Sequence, residues 1–327
     1  MVGAAMNIIR WDGTKITKPG IYSGIPLAQY HGDLCDGPSI SSRGLRMIEA
    51  RTPSHYYATS YINPLRVVET RNEAVNFGRA ARALILGESS FNDQYSIRPE
   101  AWTDWRTRVA RQWRKEQEAS GKIVLIPSQV RAIHGITQAL ERGLERGLAK
   151  GLEHGSEQKL RHHQLVRDGL LNGLIEHTIV CRDEPTGLWL KIRPDIVPMA
   201  DGVLIDFKNT NDASPDGVLN SILKFNYPMQ DALAAMVMKK ALGLTITDFV
   251  LVFFEKEAPH AVSITSIDNE WISCAQRHVR RAIDTFARCV ETNEWPGYDI
   301  ASTIHMPESL RTQFEDESGL IPELEAA

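Results

Sequence analysis

Positive charge is not in excess in this chain of 327 residues: 37 Lys and Arg stand against 41 Asp and Glu, for a formal net charge of −4. Nothing global therefore announces nucleic acid, and any basic surface has to be local. Cysteine is scarce. Cys35, Cys181, Cys274 and Cys289 form no CxxC pair, which argues against a zinc ribbon and against a disulfide framework in a chain this long. Long apolar runs are missing too. Phe249–Phe254, the longest candidate, falls far short of the ~20 residues of a membrane span and fits one buried strand. Arg10, Asp12 and Lys15 stand near the start with no long apolar segment, unlike a secretion signal. The expectation is a cytoplasmic protein with reduced thiols and no membrane partner.

What is there is ordinary globular material, with 43% hydrophobic and 24% charged residues, enough for a real core. Residues 1 to 65 are turn-rich, with Asp12-Gly13, Pro19-Gly20 and Asp36-Gly37-Pro38, and Ser41 is placed to cap a short helix carrying Leu45 and Ile48 inward. A helix is predicted over 72–88, and another over 101–118 with Trp102, Trp105, Val109 and Trp113 at helical spacing. The other faces of the second hold Arg106, Arg108, Arg111, Arg114 and Lys115, either a solvated face or a surface that follows phosphates, with Arg108 and Arg111 as the DNA-contact candidates. Residues 140–155, "LERGLERGLAKGLEHG", are a four-residue tandem repeat of leucine and glycine to which no chemistry is assigned.

From about residue 175 the texture changes to Thr178–Cys181, Leu188–Ile192 and Val203–Ile205 as successive strands, the last in a hairpin after the Asp201-Gly202 turn. A helix over 220–241, strands at 249–254 and 261–265, and a helix over 269–292 follow, which together make an α/β layer with a central mixed sheet. The stretch "IRPDIVPMADGVLIDFKN" (192–209) ends two apolar runs in charged residues. Asp206 and Lys208 are two apart on one strand and so share a face. With Asp195 nearby, two carboxylates and the Phe207 carbonyl make a hard-oxygen site of the kind magnesium prefers. Lys208 beside such an ion can activate a water and stabilise charge on a phosphate. Glu176 can add a carboxylate, and Tyr227 and Gln230, three apart on the next helix, can contact the scissile phosphate or fix the lysine. The bland alternatives are a salt bridge at a strand end, a solvated acid at Glu176 and a core aromatic at Tyr227.

The chain resembles the RecE-type PD-(D/E)XK nucleases, the C-terminal nuclease domain of exonuclease VIII. "RPD" at 193–195 and "DFK" at 206–208 match the motif of two acids and a lysine, and "YPMQ" at 227–230 matches the helix motif. "IEHTIVCRDEPTGLWLKIRPD" (175–195) is similar to the segment leading to the first aspartate. "WDGTKITKPGIYSGIPLAQYH", "PSISSRGLRMIEARTPSHYY" and "TNEWPGYD" resemble the opening and close of the same domain, so that the resemblance spans most of residues 10 to 300. It implies a nuclease domain over 66–300, with residues 1–65 packed on it and 301–327 as a tail. It also implies a restriction-endonuclease-like core, magnesium (or manganese) as cofactor, and exonuclease action on the 5′-ended strand of double-stranded DNA ends. The implied assembly is a ring-shaped tetramer with a single-strand annealing partner. In "GRAARALILGE" (78–88), Arg82 stands where the family has a metal-binding histidine. Arginine cannot ligate magnesium, so that Glu88, His177 or water compensates, or Arg82 touches DNA phosphate, or the metal site is weakened. The rival readings are a protein that binds DNA ends and cuts poorly, and another PD-(D/E)XK nuclease of repair or Cas4-like type. The missing cysteine cluster argues against the iron–sulfur variants.

Overall fold

The computed structural model describes residues 6–66, 73–85, 91–154, 173–175, 177–298, 303, 305–308 and 310–312. In chain order, β1 (Ile8–Arg10), β2 (Gly20–Ser23), α1 (Leu27–Tyr30), β3 (Ser39–Ser41), α2 (Ser42–Ala50) and α3 (Pro53–Thr59) form the N-terminal part. Next come α4 (Glu73–Ile85), α5 (Phe91–Gln94), β4 (Tyr95–Ile97), α6 (Arg108–Ala119), β5 (Ile123–Leu125) and α7 (Pro127–His154). Then follow β6 (Gly173–Ile175), β7 (Thr178–Arg182), β8 (Trp189–Ile192), β9 (Ile196–Pro198) and β10 (Gly202–Thr210). The chain continues as α8 (Pro215–Phe225), α9 (Tyr227–Leu242), β11 (Ile246–Glu255), β12 (Val262–Ile267) and α10 (Asn269–Thr292).

The turn-rich N-terminal part does more than pack on the core: it enters the sheet. One sheet runs β1-β2-β7-β8-β3, with β2 antiparallel to β7 and β3 parallel to β8. The buried Lys191 of β8 fastens this seam, donating to Ser39 Oγ at 3.0 Å and to the Gly32 carbonyl at 3.2 Å. Burial pushes that ammonium down to about 8.

A second sheet, β10-β11-β12, holds the site. β10 and β11 are parallel, and β11 and β12 antiparallel. The period of two divides β10 and β11 between two cores. Leu204, Phe249, Leu251 and Phe253 face the core that holds α9, whereas Ile205, Phe207, Val250, Val252 and Phe254 face the core that holds α4 and α7. α9 is buried on most of its circumference, because α10, α2 and the five-stranded sheet all pack against it.

Four expectations change. β10 is not the second arm of a hairpin: its partner is β11 in parallel, and β9 pairs with β6. The helix predicted over 220–241 is two helices, broken at Asn226 in the left-handed conformation (φ 49°) with Pro228 just beyond. The helix predicted from 101 starts at Arg108, because Thr107 Oγ1 accepts from Ala110 N–H at 3.1 Å and caps it. Ser41 is indeed the N-cap of α2, with Leu45 and Ile48 buried, but its side chain makes no capping bond. The repeat lies on α7 through His154, and Gly155 falls outside the described residues.

Candidate active site

Asp206 shares the α9-facing side of β10 with Leu204, and this alternation brings it under Gln230. Gln230 Nε2 donates to Asp206 Oδ2 at 2.7 Å, and Lys208 Nζ donates to Gln230 Oε1 at 3.1 Å. Lys208 also pairs directly with Asp206, and its ammonium lies 4.2 Å from the centre of the Tyr227 ring. The four residues form one network.

Asp195 approaches from the turn between β8 and β9 and is only 2% exposed. Its Oδ2 accepts the Phe207 N–H at 2.8 Å, which satisfies β10 on the edge away from β11. A strand residue sends its N–H and C=O to the same edge, so the Phe207 carbonyl also faces Asp195. Oδ1 of Asp195 accepts from the Arg82 guanidinium. α4 packs closely against β10 here: a Cβ at Gly78 would stand 2.8 Å from Asn209 Oδ1, so a larger residue would have to turn that side chain aside.

The two carboxyls titrate as a pair. Burial pushes Asp195 up, Arg82 pulls it back, and the charge of Asp206 adds to the rise. Burial would raise Asp206 as well, but Lys208 holds it below the ordinary carboxylate range. Two adjoining cavities of about 380 and 210 Å³ open over these groups, and Arg82, Arg193, Asp195 and Lys208 line both.

Residues 148–305 match the model of a family described as a PDDEXK-like domain of unknown function. The fold is PD-(D/E)XK-like. Among solved structures, a suspected exonuclease from Eubacterium rectale superposes with a TM-score of 0.51 at 11% identity, covering 88% of this chain and 94% of that one. A phage-related exonuclease from Haemophilus somnus 129PT reaches 0.30 at 13% identity, covering 78% and 96%. An alkaline exonuclease from Laribacter hongkongensis reaches 0.22 at 14% identity, covering 67% and 96%, and neither of these two looser superpositions bears on the fold. A search of the curated proteins found no match.

A PD-(D/E)XK fold implies a divalent ion, and the donors here suit a hard one. Two buried carboxylates and a backbone carbonyl are oxygen ligands, and a cation between them relieves the repulsion that raises Asp195. The ion would rest on Asp195, Asp206, the Phe207 carbonyl and water, and Arg82 would have to leave Asp195. Among the described residues no group of three or more His, Cys, Asp or Glu gathers to hold a metal. Glu176 and Glu88 lie outside the described residues, and His177 Nδ1 is 2.9 Å from the Ile175 carbonyl.

Arg108 and Arg111 are exposed on α6 and line neither cavity. Arg79 and Arg43 were not singled out in the sequence, yet they line the site cavities, and Nη1 of Arg79 is buried with no hydrogen-bond partner among the described residues. Asp231 was missed as well. It is 1% exposed, one turn beyond Tyr227, and burial together with the charge of Asp206 raises it well above the carboxylate range. Its place directly after the "YPMQ" motif was the available signal. No helix among the described residues is long and apolar enough to cross a membrane.

Proposed function

We propose that this protein is a divalent-metal-dependent nuclease of the RecE type that degrades linear double-stranded DNA from its ends. The observation that carries the reading is the pair of buried carboxylates, Asp195 and Asp206, joined to the half-buried Lys208 and Gln230 at the floor of an arginine-lined cavity. Arg79 offers the phosphate an unpartnered buried donor, and Arg43 and Arg82 add positive charge on the same walls. Lys208, fixed by Asp206, Gln230 and the Tyr227 ring, orients the attacking water and stabilises charge growing on the phosphoryl oxygens. Magnesium or manganese bound between the aspartates would supply Lewis acidity at the phosphate. Glu176 retains its proposed supporting role.

By resemblance the reading extends to the 5′-ended strand as substrate, a ring-shaped homo-oligomer, a single-strand annealing partner and a cytoplasmic setting. Digestion of end-labelled linear duplex, with and without magnesium, tests the core of it. Degradation that needs the ion and a free end, and that is lost in Asp206→Asn, is expected; intact duplex under every condition overturns the nuclease reading. One observation favours a second reading. Arg82 paired with Asp195 fills the outward oxygen of a metal ligand, as expected of a protein that binds ends and cuts poorly. Binding of duplex ends without turnover at any magnesium or manganese concentration would select it.

A further inference from the structure

Helix α6 contributes almost nothing to the core, since Ala110 is its one buried residue. Its Trp113 instead joins Trp102 and Trp105, from the segment before the helix, in an aromatic cluster near the surface. Trp105 and Trp113 are stacked, 6.4 Å apart at 15°, and Trp102 meets Trp113 edge-on at 5.7 Å. Each of the three rings is half-buried. The guanidinium carbons of Arg98 and Arg114 lie 5.1 and 5.2 Å from the centre of the Trp105 ring.

Trp105, Arg98 and Arg114 line a concavity of about 280 Å³ with Asn76, Lys122 and Gln129. Arg98, Arg114 and Lys122 bring three positive charges to it and Glu118, paired with Arg114 at 2.7 Å, brings one negative. Two polar atoms on its wall, Arg98 Nε and Asn76 Oδ1, are buried without a hydrogen-bond partner among the described residues. An indole ring, guanidinium planes, net positive charge and unpartnered donor and acceptor atoms are the chemistry that holds an unstacked base and its phosphate. A duplex, whose bases are stacked inside, presents no ring face to such a pocket.

The concavity is a neighbour of the candidate active site. Asn76 lines it, and Arg79 and Arg82, three and six residues further along α4, line the cavity over Asp195. At ~1.5 Å per residue that is roughly 5 to 9 Å along the helix axis.

We propose that the Trp105 concavity is a binding site for single-stranded DNA, holding a splayed base of the strand that runs to or from the Asp195–Asp206 site. The choice of DNA rests on the nuclease reading; the binding itself does not need turnover. The test uses the full chain in EDTA, where no cleavage occurs, titrated with a short oligothymidylate and separately with blunt duplex, read by fluorescence anisotropy. Trp105→Ala should weaken oligothymidylate binding about tenfold or more, leave duplex affinity within about twofold, and retain the wild-type circular dichroism spectrum. Trp105→Phe should restore most of the loss. Arg98→Gln, which keeps the ring, should weaken the same ligand and covers the case in which Trp105→Ala does not fold. Unchanged oligothymidylate affinity in both Trp105→Ala and Arg98→Gln, or equal losses on duplex and single strand, overturns the site. Loss of oligothymidylate binding in a protein that never degrades duplex in magnesium would remove the nuclease reading and leave this site standing.

Discussion

Arg82 donates to Asp195 on the side opposite the Phe207 N–H, so a fixed cation already occupies one of the two carboxylates expected to hold metal. Removing it should have two effects of opposite sign. Without divalent ion, Arg82→Ala leaves Asp195 buried and unpaired. Because Arg82 is itself 27% exposed, the cost should fall at about 2 to 4 kcal/mol, near the low end for a broken buried pair. With calcium, which binds such oxygen sites, the variant should regain stability by a larger thermal shift than the wild type shows. Equal calcium shifts in the two proteins would mean that Arg82 and the ion do not compete.

Lys208 and Asp206 should be indispensable for cleavage, and losing either should lower stability without unfolding the protein. Lys208→Ala and Asp206→Asn are each expected to lower the rate on linear duplex by about a hundredfold or more. Gln230→Ala, which removes the bridge between them, should cost less. Parallel urea titrations serve as the control. A rate within a few-fold of wild type for Lys208→Ala would put the chemistry elsewhere.

Lys191 supplies a pH dependence away from the site. Its folded value, about 8, lies below the ordinary 10.5, so the unfolded chain holds the extra proton between the two. Stability contributed at this position therefore rises with pH across that window, by on the order of 3 kcal/mol in full. Since tyrosines and thiols titrate in the same range, the quantity to measure is wild type against Lys191→Met. The wild type should gain on the variant from pH 8 to pH 10, and a constant difference would refute the shift.

Asp183 is nearly buried, and Arg280 Nη1 donates to both its oxygens at 2.9 and 3.0 Å. Burial would raise the carboxyl, but Arg280 and Thr186 hold it below its ordinary value. Its stabilising contribution is thus present above about pH 4 and lost as the solution is acidified further. Arg280→Ala should destabilise by about 2 to 4 kcal/mol at neutral pH, with a smaller difference at pH 3, measured by chemical denaturation. An unchanged midpoint at pH 7 would show that water replaces the arginine.

The site was readable where local chemistry dominates. Asp206 and Lys208 had to share a face because β10 has a period of two, and Tyr227 and Gln230 because α9 turns every 3.6 residues. The partner of β10 was not readable, since a parallel neighbour lies beyond an intervening pair of helices, whereas the Asp201-Gly202 turn in front of Val203 reads locally as a hairpin. Arg79 and Arg43 were invisible for a related reason. An arginine on an amphipathic helix reads as solvated until the tertiary fold places a carboxylate-lined cavity beside it. The break at Asn226 and the cap at Thr107 did have local signals, but the apolar spacing running across them was stronger.

The seam between β3 and β8 has a consequence during synthesis. Ser39 must wait for Lys191, 152 positions later, before its strand has a neighbour. At ~5–20 residues per second this is a delay of about 8 to 30 s, in which β1, β2 and β3 leave the ribosome with apolar side chains such as Ile21 and Ile40 uncovered. Synthesis of residues 148–305 alone would leave the reciprocal defect, because β7 and β8 would lack their outer neighbours and Lys191 would lose Ser39 and the Gly32 carbonyl. The stretch that matches the family model therefore depends on the first forty-odd residues to complete its sheet and cover its strand edges.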